Sequence, residues 1–448
     1  TLRRQVQQEG GINFTNRYSI TQDFTPNTQE WELYQKLSTY LQDPSNKAIS
    51  PQARHLVSIG IRKILASSSF AVAQTLKGML ERLKAKQLLN EEALTDLEES
   101  DDWIDQFDES DEFSVNDGAE KESKLAQEIS LLEECQKLAA NISSNAKGDA
   151  LLLVLEKAMD MTENLGGQRK AVVFTESCRT QQYLSEMLEN KGYQGRTVLL
   201  NGSNSDQGSK QIYKEWLAAN AGSARVSHSK AADMKAALVD KFKSDEADIL
   251  ISTEAGGEGI NLQFCSVLIN YDLPWNPQKV EQRIGRVHRY GQKNDVVVVN
   301  FVNRKNPADQ RVFQLLNDKL KLFEGVFGAS DDVLGIIESI DIEKRIYEIY
   351  QKCRSDQEIE YEFDPLQKKM DDVLSVREEA ARQTLLNHFD RDVVATLKTR
   401  RDQSNDFLKD YEQVLLDLAR AELPQASFGR NHFNYDGARY DLNWLLAQ

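Results

Sequence analysis

The sequence is poor in cysteine and lacks any long apolar run. The four cysteines, Cys135, Cys178, Cys265 and Cys353, stand singly without CxxC spacing, which argues against disulfides and a cysteine-ligated zinc site. The five histidines also lack metal-site spacing, so we predict no metal ligands. No apolar run is long enough to span a membrane, and no charged-then-apolar leader opens the chain. We therefore expect a soluble protein of a reducing cytoplasm.

Basic residues are outnumbered by acidic ones, 55 Lys or Arg against 71 Asp or Glu, and the acidic excess lies mostly in one segment. The formal net charge is -16, and residues 91–124 contain 15 Asp or Glu against 2 Lys, a net of -13. The composition of this segment predicts a solvated linker or mobile loop. The remainder is nearly neutral, so the acidic balance does not exclude phosphate binding, which depends on where basic residues cluster.

Five short β-branched runs alternate with helical patterns between about Lys147 and Glu324. The runs are AVVFT (171–175), TVLL (197–200), DILIS (248–252), SVLINY (266–271) and VVVVNF (296–301). Such apolar strands separated by helices predict an α/β fold with a parallel sheet covered by helices on both faces. Ligands of these sheets bind beyond the carboxyl ends of the strands. Three of those ends carry unusual sequence: NGSNSD, STEAGGEGINL and LPWNP.

An arginine-rich stretch, EQRIGRVHRYGQ at 281–292, follows LPWNP closely. Asn276 as N-cap, Pro277 at the first helical position and Gly291 at the exit predict a helix here. The apolar stripe of this helix is formed by Val280, Ile284 and Val287, and the opposite side carries Gln282, Arg286 and Arg289. Two neighbouring guanidinium groups need a polyanion or closely placed acids. We therefore hypothesise a phosphate ligand, with arginines paired to carboxylates as the alternative.

The glycine-rich loop STEAGGEGINL has a similar chemistry. Ser252 and Thr253 can hold a phosphate through hydroxyl and backbone N–H groups, because they lie at a strand end. The glycines Gly256, Gly257 and Gly259 allow positive φ and a close approach of the backbone to a ligand. Taken alone, GGEG indicates a plain turn equally well.

In this order, these motifs resemble the second lobe of superfamily-two helicase-like ATPases. KAVVFTES resembles the fourth motif, STEAGGEGINL the fifth and QRIGRVHRYGQ the sixth. DLPWNP and the trailing HRYGQ resemble the Swi/Snf-like branch, and especially its bacterial RapA-like (HepA-like) members. Eukaryotic chromatin remodellers usually carry an acid where this chain has Gly285. The resemblance implies a RecA-like sheet.

The resemblance also implies a role for each matched residue. Arg286 and Arg289 would be arginine fingers that reach the phosphates of ATP, with Gln282 beside them. The ATP cleft would be lined by Gly257, Glu258 and Gly259. Contacts to the nucleic-acid backbone are expected from Thr175, Asn201, Gly202, Ser252, Thr253 and Trp275. Because backbone phosphates carry little sequence information, binding should be largely independent of sequence.

One part of the family pattern is missing. Neither a GxxxxGK[ST] phosphate loop nor a DExH-type metal site occurs in the 448 residues. The resemblance therefore implies that ATP and Mg²⁺ are held mainly by a first RecA-like lobe, in the same parent chain or in a partner subunit. We expect this chain to be a C-terminal piece of a larger motor, or one subunit of a split motor, and to be inactive alone.

Composition, hydrophobic periodicity and the family resemblance together predict five regions. These are the end of a first motor lobe with a connector (1–50), a helical insertion (51–90), an acidic linker and helix (91–146), a second RecA-like lobe (147–325) and a helical C-terminal region (326–448).

Two classes of function remain open. The first is an ATP-driven translocase or remodeller of double-stranded DNA, cytoplasmic and nucleoid-associated, with RNA polymerase or a phage-defence complex as a possible partner and no membrane contact. The alternative is a non-enzymatic scaffold built on a RecA-like lobe, which would need none of the three polar residues of the arginine stretch.

Overall fold

The computed structural model describes most of the chain from residue 15 to residue 319. The described ranges are 15–43, 45–46, 48–49, 54–84, 119–223, 225–227, 229–289 and 291–319, with parts of 344–368 and 420–441. The chain forms two compact units, residues 14–375 and the unit of residues 1–13 with 376–448. Most of the acidic segment, and most of the helices predicted after residue 330, lie outside the described residues.

The larger unit contains a parallel sheet. Its strands are β1 (Arg17–Phe24), β2 (Ala171–Phe174), β3 (Thr197–Leu200), β4 (Ile249–Ser252), β5 (Val267–Asn270) and β6 (Val296–Asn303). Their order is β1-β6-β5-β2-β4-β3, and every pairing is parallel. Strands β2 to β6 coincide with the five predicted runs, so the predicted parallel sheet is confirmed.

Strand β1 is an edge strand that comes from the region predicted as a connector. It pairs with β6 along its whole length, from Arg17 opposite Val296 to Phe24 opposite Asn303. Its sequence RYSITQDF mixes polar and apolar residues, as is common where one side of a strand is accessible to solvent. This pattern predicts a strand but does not indicate which sheet the strand joins.

Helices make up most of the rest of this unit. They are α1 (Thr28–Gln42), α2 (Arg54–Ser67), α3 (Ser69–Lys84), α4 (Ala119–Ala140), α5 (Ala146–Asn164), α6 (Cys178–Leu188), α7 (Gln207–Ala219), α8 (Lys230–Lys243), α9 (Glu254–Gly257), α10 (Pro277–Val287) and α11 (Pro307–Gln314). Short π-helical turns follow α6 and α11. None of the helices in the described ranges is long and apolar enough to cross a membrane.

The sheet separates two apolar cores because successive strand residues point to opposite faces. On one face Val172 and Phe174 pack with residues of α8, α10 and α11. On the other face Ala171 and Val173 pack with residues of α5 and α6. Helices therefore cover both faces, as the sequence predicts.

Helices α1 to α4 form a third apolar cluster. Leu37, Ile61, Met79 and Leu132, one from each helix, are at most 2% exposed. Helices α2 and α3 confirm the two packed helices predicted between residues 51 and 89. The serine-rich turn that joins them contacts the carboxyl edge of the sheet, where the Tyr271 hydroxyl donates to the Ser67 carbonyl oxygen at 3.2 Å.

The second unit contains a small antiparallel sheet that was not predicted. Its strands are β7 (Ser427–Phe428), β8 (His432–Tyr435) and β9 (Ala438–Asp441). Phe433 pairs with Tyr440 across β8 and β9. The aromatic residues favour strands, and the Asp-Gly dipeptide between β8 and β9 is a known hairpin signal, so the sequence did contain evidence for these strands.

Candidate active site

The arginine stretch forms helix α10, with the predicted start. Asn276 is the N-cap, its side chain accepts a hydrogen bond from the Gln278 N–H at 2.9 Å, and Pro277 is the first helical residue. The three residues of the predicted apolar stripe are fully buried. The helix ends at Val287, one turn before Gly291, which lies beyond it with φ +95°.

The predicted polar face of this stretch is accessible to solvent. Gln282 and Arg289 are exposed, and Arg286 is partly buried. Within the part of the chain that the structure describes, neither Arg286 nor Arg289 has a hydrogen bond or an ion pair from its guanidinium group. Both groups are therefore available to an anion from outside this part of the chain.

The third arginine of the stretch behaves differently and was missed. Arg283 is 1% exposed, its Nε donates to Glu254 Oε2 at 2.7 Å, and its Nη1 donates to the Asp272 carbonyl oxygen at 2.7 Å. Its guanidinium also lies 5.1 Å from the Phe174 ring centroid. The sequence signal that could have indicated the burial of Arg283 was its position next to Ile284, on the border of the apolar stripe. Arg283 thus fits the alternative of an arginine paired to a carboxylate.

The glycine-rich loop forms the short helix α9, capped by Thr253. A Cβ on Gly256 would lie 2.2 Å from the Leu200 carbonyl oxygen, and one on Gly257 would lie 2.7 Å from the Phe174 ring. Among the three glycines only Gly259 has positive φ, +74°. Gly256 and Gly257 are therefore needed for close packing of the loop against the protein.

Two residues of the predicted ATP cleft are exposed at the end of this loop. Glu258 and Gly259 are open to solvent, whereas Gly257 is buried. Lys235 of α8 donates to the carbonyl oxygens of Ala255 and Glu258 at 3.1 and 3.2 Å. This lysine stabilises the carboxyl end of α9, where backbone carbonyls lack helical partners.

The hydroxyl groups at the strand ends are buried and already hydrogen-bonded. Thr175 is 0% exposed and donates to Asp272 Oδ2 at 2.6 Å. Ser252, also 0% exposed, donates to the Thr253 carbonyl oxygen at 2.9 Å. The Thr253 hydroxyl accepts from the Gly256 N–H at 3.4 Å. The Thr175 and Ser252 hydroxyls could donate to a phosphate only after leaving their present acceptors, whereas the Thr253 hydroxyl is engaged here as an acceptor.

Asp272 is the centre of a buried polar cluster at the carboxyl end of β5. Its Oδ1 accepts from Lys147 Nζ at 2.7 Å, and its Oδ2 accepts from the hydroxyls of Ser67 and Thr175. Burial alone raises the pKa of Asp272, but the Lys147 ammonium and the two hydroxyls outweigh it, so the pKa lies below its ordinary value. The cluster links the turn between α2 and α3 to the sheet.

The loop NGSNSD is organised by reciprocal hydrogen bonds between two asparagines. The Asn201 N–H donates to Asn204 Oδ1 at 2.8 Å, and the Asn204 N–H donates to Asn201 Oδ1 at 2.6 Å. Buried Gln181 accepts from Asn201 Nδ2 and donates to the Leu200 carbonyl oxygen. Asn201 is thus held below the surface, whereas Gly202 is exposed.

Trp275 lies beside the start of α10 and is 9% exposed. Lys63 of α2 places its ammonium 5.7 Å from the Trp275 ring centroid and 3.3 Å from the Glu176 carboxylate. The predicted nucleic-acid residues therefore share the carboxyl edge, but Gly202 alone among the six is exposed. No group of three potential metal ligands occurs in the described ranges.

Comparison with known proteins places a recognised domain over this edge. Residues 182–291 match the helicase conserved C-terminal domain. This region is a helicase C-terminal domain. It includes the NGSNSD loop, the glycine loop, the arginine helix and three strands of the parallel sheet, β3, β4 and β5.

The helicase domain has relatives among curated proteins and solved structures. The chain is 30% identical over 366 residues to the uncharacterized ATP-dependent helicase YqhH of Bacillus subtilis, covering 81% of this chain and 51% of that protein. The chain thus spans about half the length of this relative. The C-terminal part of the Fun30 ATPase domain is 17% identical with a TM-score of 0.39, and the match covers 75% of this chain and 98% of that structure's chain. The Pyrococcus furiosus Hef helicase domain is 16% identical with a TM-score of 0.35, and the match covers 69% of this chain and 58% of that domain.

Proposed function

We propose that this chain supplies the second motor lobe of an ATP hydrolase that moves along double-stranded DNA, as Swi/Snf-like proteins do. The observation that carries the proposal is the difference between the arginines of one stretch. Arg283 is neutralised by Glu254, whereas Arg286 and Arg289 have no anionic partner among the described residues. A scaffold does not require two uncompensated cations at the end of a well-packed helix.

The two free arginines fit the chemistry of ATP hydrolysis. Negative charge spreads over the γ-phosphoryl oxygens as the transferring group separates, and a guanidinium fork stabilises that charge. Gln282 is exposed beside them and can contribute a polar contact. In this proposal Arg286 and Arg289 are the fingers, and Gly257, Glu258 and Gly259 line the same cleft.

In this proposal, ATP and Mg²⁺ are bound mainly by another part of the motor. The sequence contains no phosphate loop, and the described residues contain no metal-ligand group. We propose that a first RecA-like lobe, in the same polypeptide or in a partner subunit, holds nucleotide and metal. On this proposal the chain alone does not hydrolyse ATP.

The nucleic-acid track would follow the carboxyl edge of the sheet. The exposed loop at Gly202 can approach a backbone phosphate directly. We propose that the buried residues Thr175, Asn201, Ser252 and Thr253, with Trp275, hold this edge in shape and contact phosphates only when the loops rearrange. A DNA-bound partner such as RNA polymerase or a defence complex stays a prediction.

The test is the ATPase activity of the full-length protein with and without duplex DNA. Duplex DNA should stimulate turnover, and Arg286→Ala or Arg289→Ala should lower kcat by about a thousandfold or more. The matched control is Arg169→Ala, because Arg169 is partly exposed and is paired with Glu156 of α5, which covers the other face of the sheet from α10. This control should stay within about twofold of wild type, since an exposed ion pair contributes little.

Two outcomes would count against the proposal. Wild-type turnover in both finger variants would refute the finger assignment, and no turnover with or without duplex DNA would favour the scaffold. Efficient separation of the strands in a displacement assay would contradict translocation along intact duplex.

A further inference from the structure

A buried ion pair attaches the first strand of the sheet to the arginine helix. The Arg17 side chain, in β1, is 4% exposed, and that of Glu281, in α10, is 17% exposed. Arg17 Nη1 and Nη2 donate to the two carboxylate oxygens of Glu281 at 3.0 and 2.7 Å. Because this fork engages two atoms at once, it fixes orientation as well as distance.

The Arg17 guanidinium also contacts His288, which lies between the two unpaired arginines in the sequence. Arg17 Nε donates to His288 Nδ1 at 2.7 Å, and the other ring nitrogen of His288 lies 2.8 Å from the Thr15 carbonyl oxygen. Since Nδ1 accepts a hydrogen bond, Nε2 carries the proton and donates to Thr15. The His288 backbone N–H also donates to the Ile284 carbonyl oxygen at 2.8 Å and closes the last turn of α10.

We infer that Arg17 is a positioning residue for the arginine fingers. Its contacts reach α10 both before the fingers, at Glu281, and between them, at His288. Arg286 and Arg289, which lack partners of their own in the described ranges, thus belong to a segment held from outside the helix. The inference rests on the proposed function, because positioning affects turnover only if the fingers act on ATP.

A single substitution that removes one of the two charges cannot separate positioning from stability. Removing one partner of a buried pair leaves an uncompensated charge and destabilises the fold, whereas replacing both partners by apolar residues of similar volume is often neutral. The informative protein is therefore the double variant Arg17→Met/Glu281→Met. It should melt within a few degrees of wild type while the segment around His288 loses its attachment.

The expected result is a loss in kcat that binding does not share. In the full-length protein the double variant should keep the KM for ATP within about twofold and lose about tenfold or more in kcat, because small displacements of a catalytic group are costly. Amide hydrogen exchange over residues 284–292 should become faster. The control is Arg196→Met/Asp248→Met, which removes an ion pair beside β3. Strand β3 is the edge strand farthest from β1, so this control should change neither kcat nor the exchange over residues 284–292.

A second variant covers the case in which the double variant does not fold. Arg17→Lys keeps the charge but loses the fork, so it should lower kcat with a nearly unchanged melting temperature. Wild-type kcat and wild-type exchange in a folded double variant, or wild-type kcat in Arg17→Lys, would overturn the inference. If instead Arg286→Ala retains full turnover, the proposed function has failed, and the exchange measurement alone decides whether Arg17 orders this segment.

Discussion

The paired cations at the two edges of the sheet differ from the unpaired arginines at the end of α10. At the amino edge Lys170 donates to the carbonyl oxygens of Ser244 and Ala247, and Arg196 is paired with Asp248. At the carboxyl edge Lys147 is paired with Asp272 and Arg283 with Glu254. The described structure also contains two arginines without partners, Arg286 and Arg289, at the end of α10, where the chain returns toward the start of β6.

This difference separates charges that are paired within the protein from charges that remain accessible to a ligand. The paired cations of both edges are saturated by groups of the protein, so they have little to offer a phosphate. The two unpaired arginines follow or flank two ion pairs of the same segment, Arg17 with Glu281 and Arg283 with Glu254. The comparison makes the end of α10 the place to test for function and the paired cations the source of controls.

The largest expected effect on stability is at the buried pair of the carboxyl edge. Lys147→Met leaves Asp272 buried without its cation, and we expect a loss of about 3–5 kcal/mol in the free energy of unfolding. Arg196→Met, at the more exposed pair of the amino edge, should cost much less, because solvent screens an exposed ion pair. Urea denaturation of both variants checks the contrast. Equal losses would show that burial does not distinguish the two edges.

A smaller loss is expected from filling the space at the glycine loop. Gly256→Ala would place a methyl group against the backbone of Leu200 and Asn201, which cannot move as a flexible side chain can. We expect a loss of about 1–3 kcal/mol. Thermal unfolding gives the measurement, and an unchanged melting temperature would mean that α9 moves away from β3 at little cost.

The pH dependence of stability should report on Asp272. Its folded pKa is depressed relative to an unfolded value of about 3.9, so its stabilising contribution is complete above that value and is lost as pH falls through the folded pKa. The unfolding free energy of wild type minus that of Asp272→Asn should be constant above about pH 5 and shrink below about pH 4. A difference that grew on acidification would contradict the assigned direction.

The smallest expected effect is a gain in stability within the arginine helix. Gly285 is interior to α10, and a Cβ there would meet nothing within 4 Å. Gly285→Ala should therefore stabilise the protein by up to about 1 kcal/mol through helix propensity. The melting temperatures of Gly285→Ala and Gly256→Ala compare the same substitution at an open site and at a closely packed site. A loss at Gly285 would reveal a steric constraint on α10.

Much of the fold could be predicted because its signals are local. Near-continuous apolar runs identify β2 to β6, and the Asn276-Pro277 pair together with the stripe of Val280 identifies α10. These features depend on strand and helix periodicity and on capping chemistry, which act within a few residues. The same locality explains why the exposed Gln282 and Arg289 could be recognised.

Other features could not be predicted because they depend on partners that are distant in sequence. Arg283 has the same residue type and nearly the same helix position as Arg286, but it meets Glu254, 29 positions away. Thr175 has the hydroxyl of a phosphate contact, but Asp272, 97 positions away, already binds it. Burial and pairing of this kind are decided by the way the strands assemble.

The sequence alone determined a parallel α/β sheet, a helix with two arginines facing away from its core, and a resemblance to helicase motor lobes. Only the tertiary structure decided which arginine is neutralised, that Gly256 and Gly257 serve packing, and that β1 joins the sheet and presents Arg17 to Glu281 and His288. The physical reason is that residue type and periodicity indicate which groups leave the core. Whether such a group then meets a partner of opposite charge depends on the three-dimensional neighbours that the fold supplies.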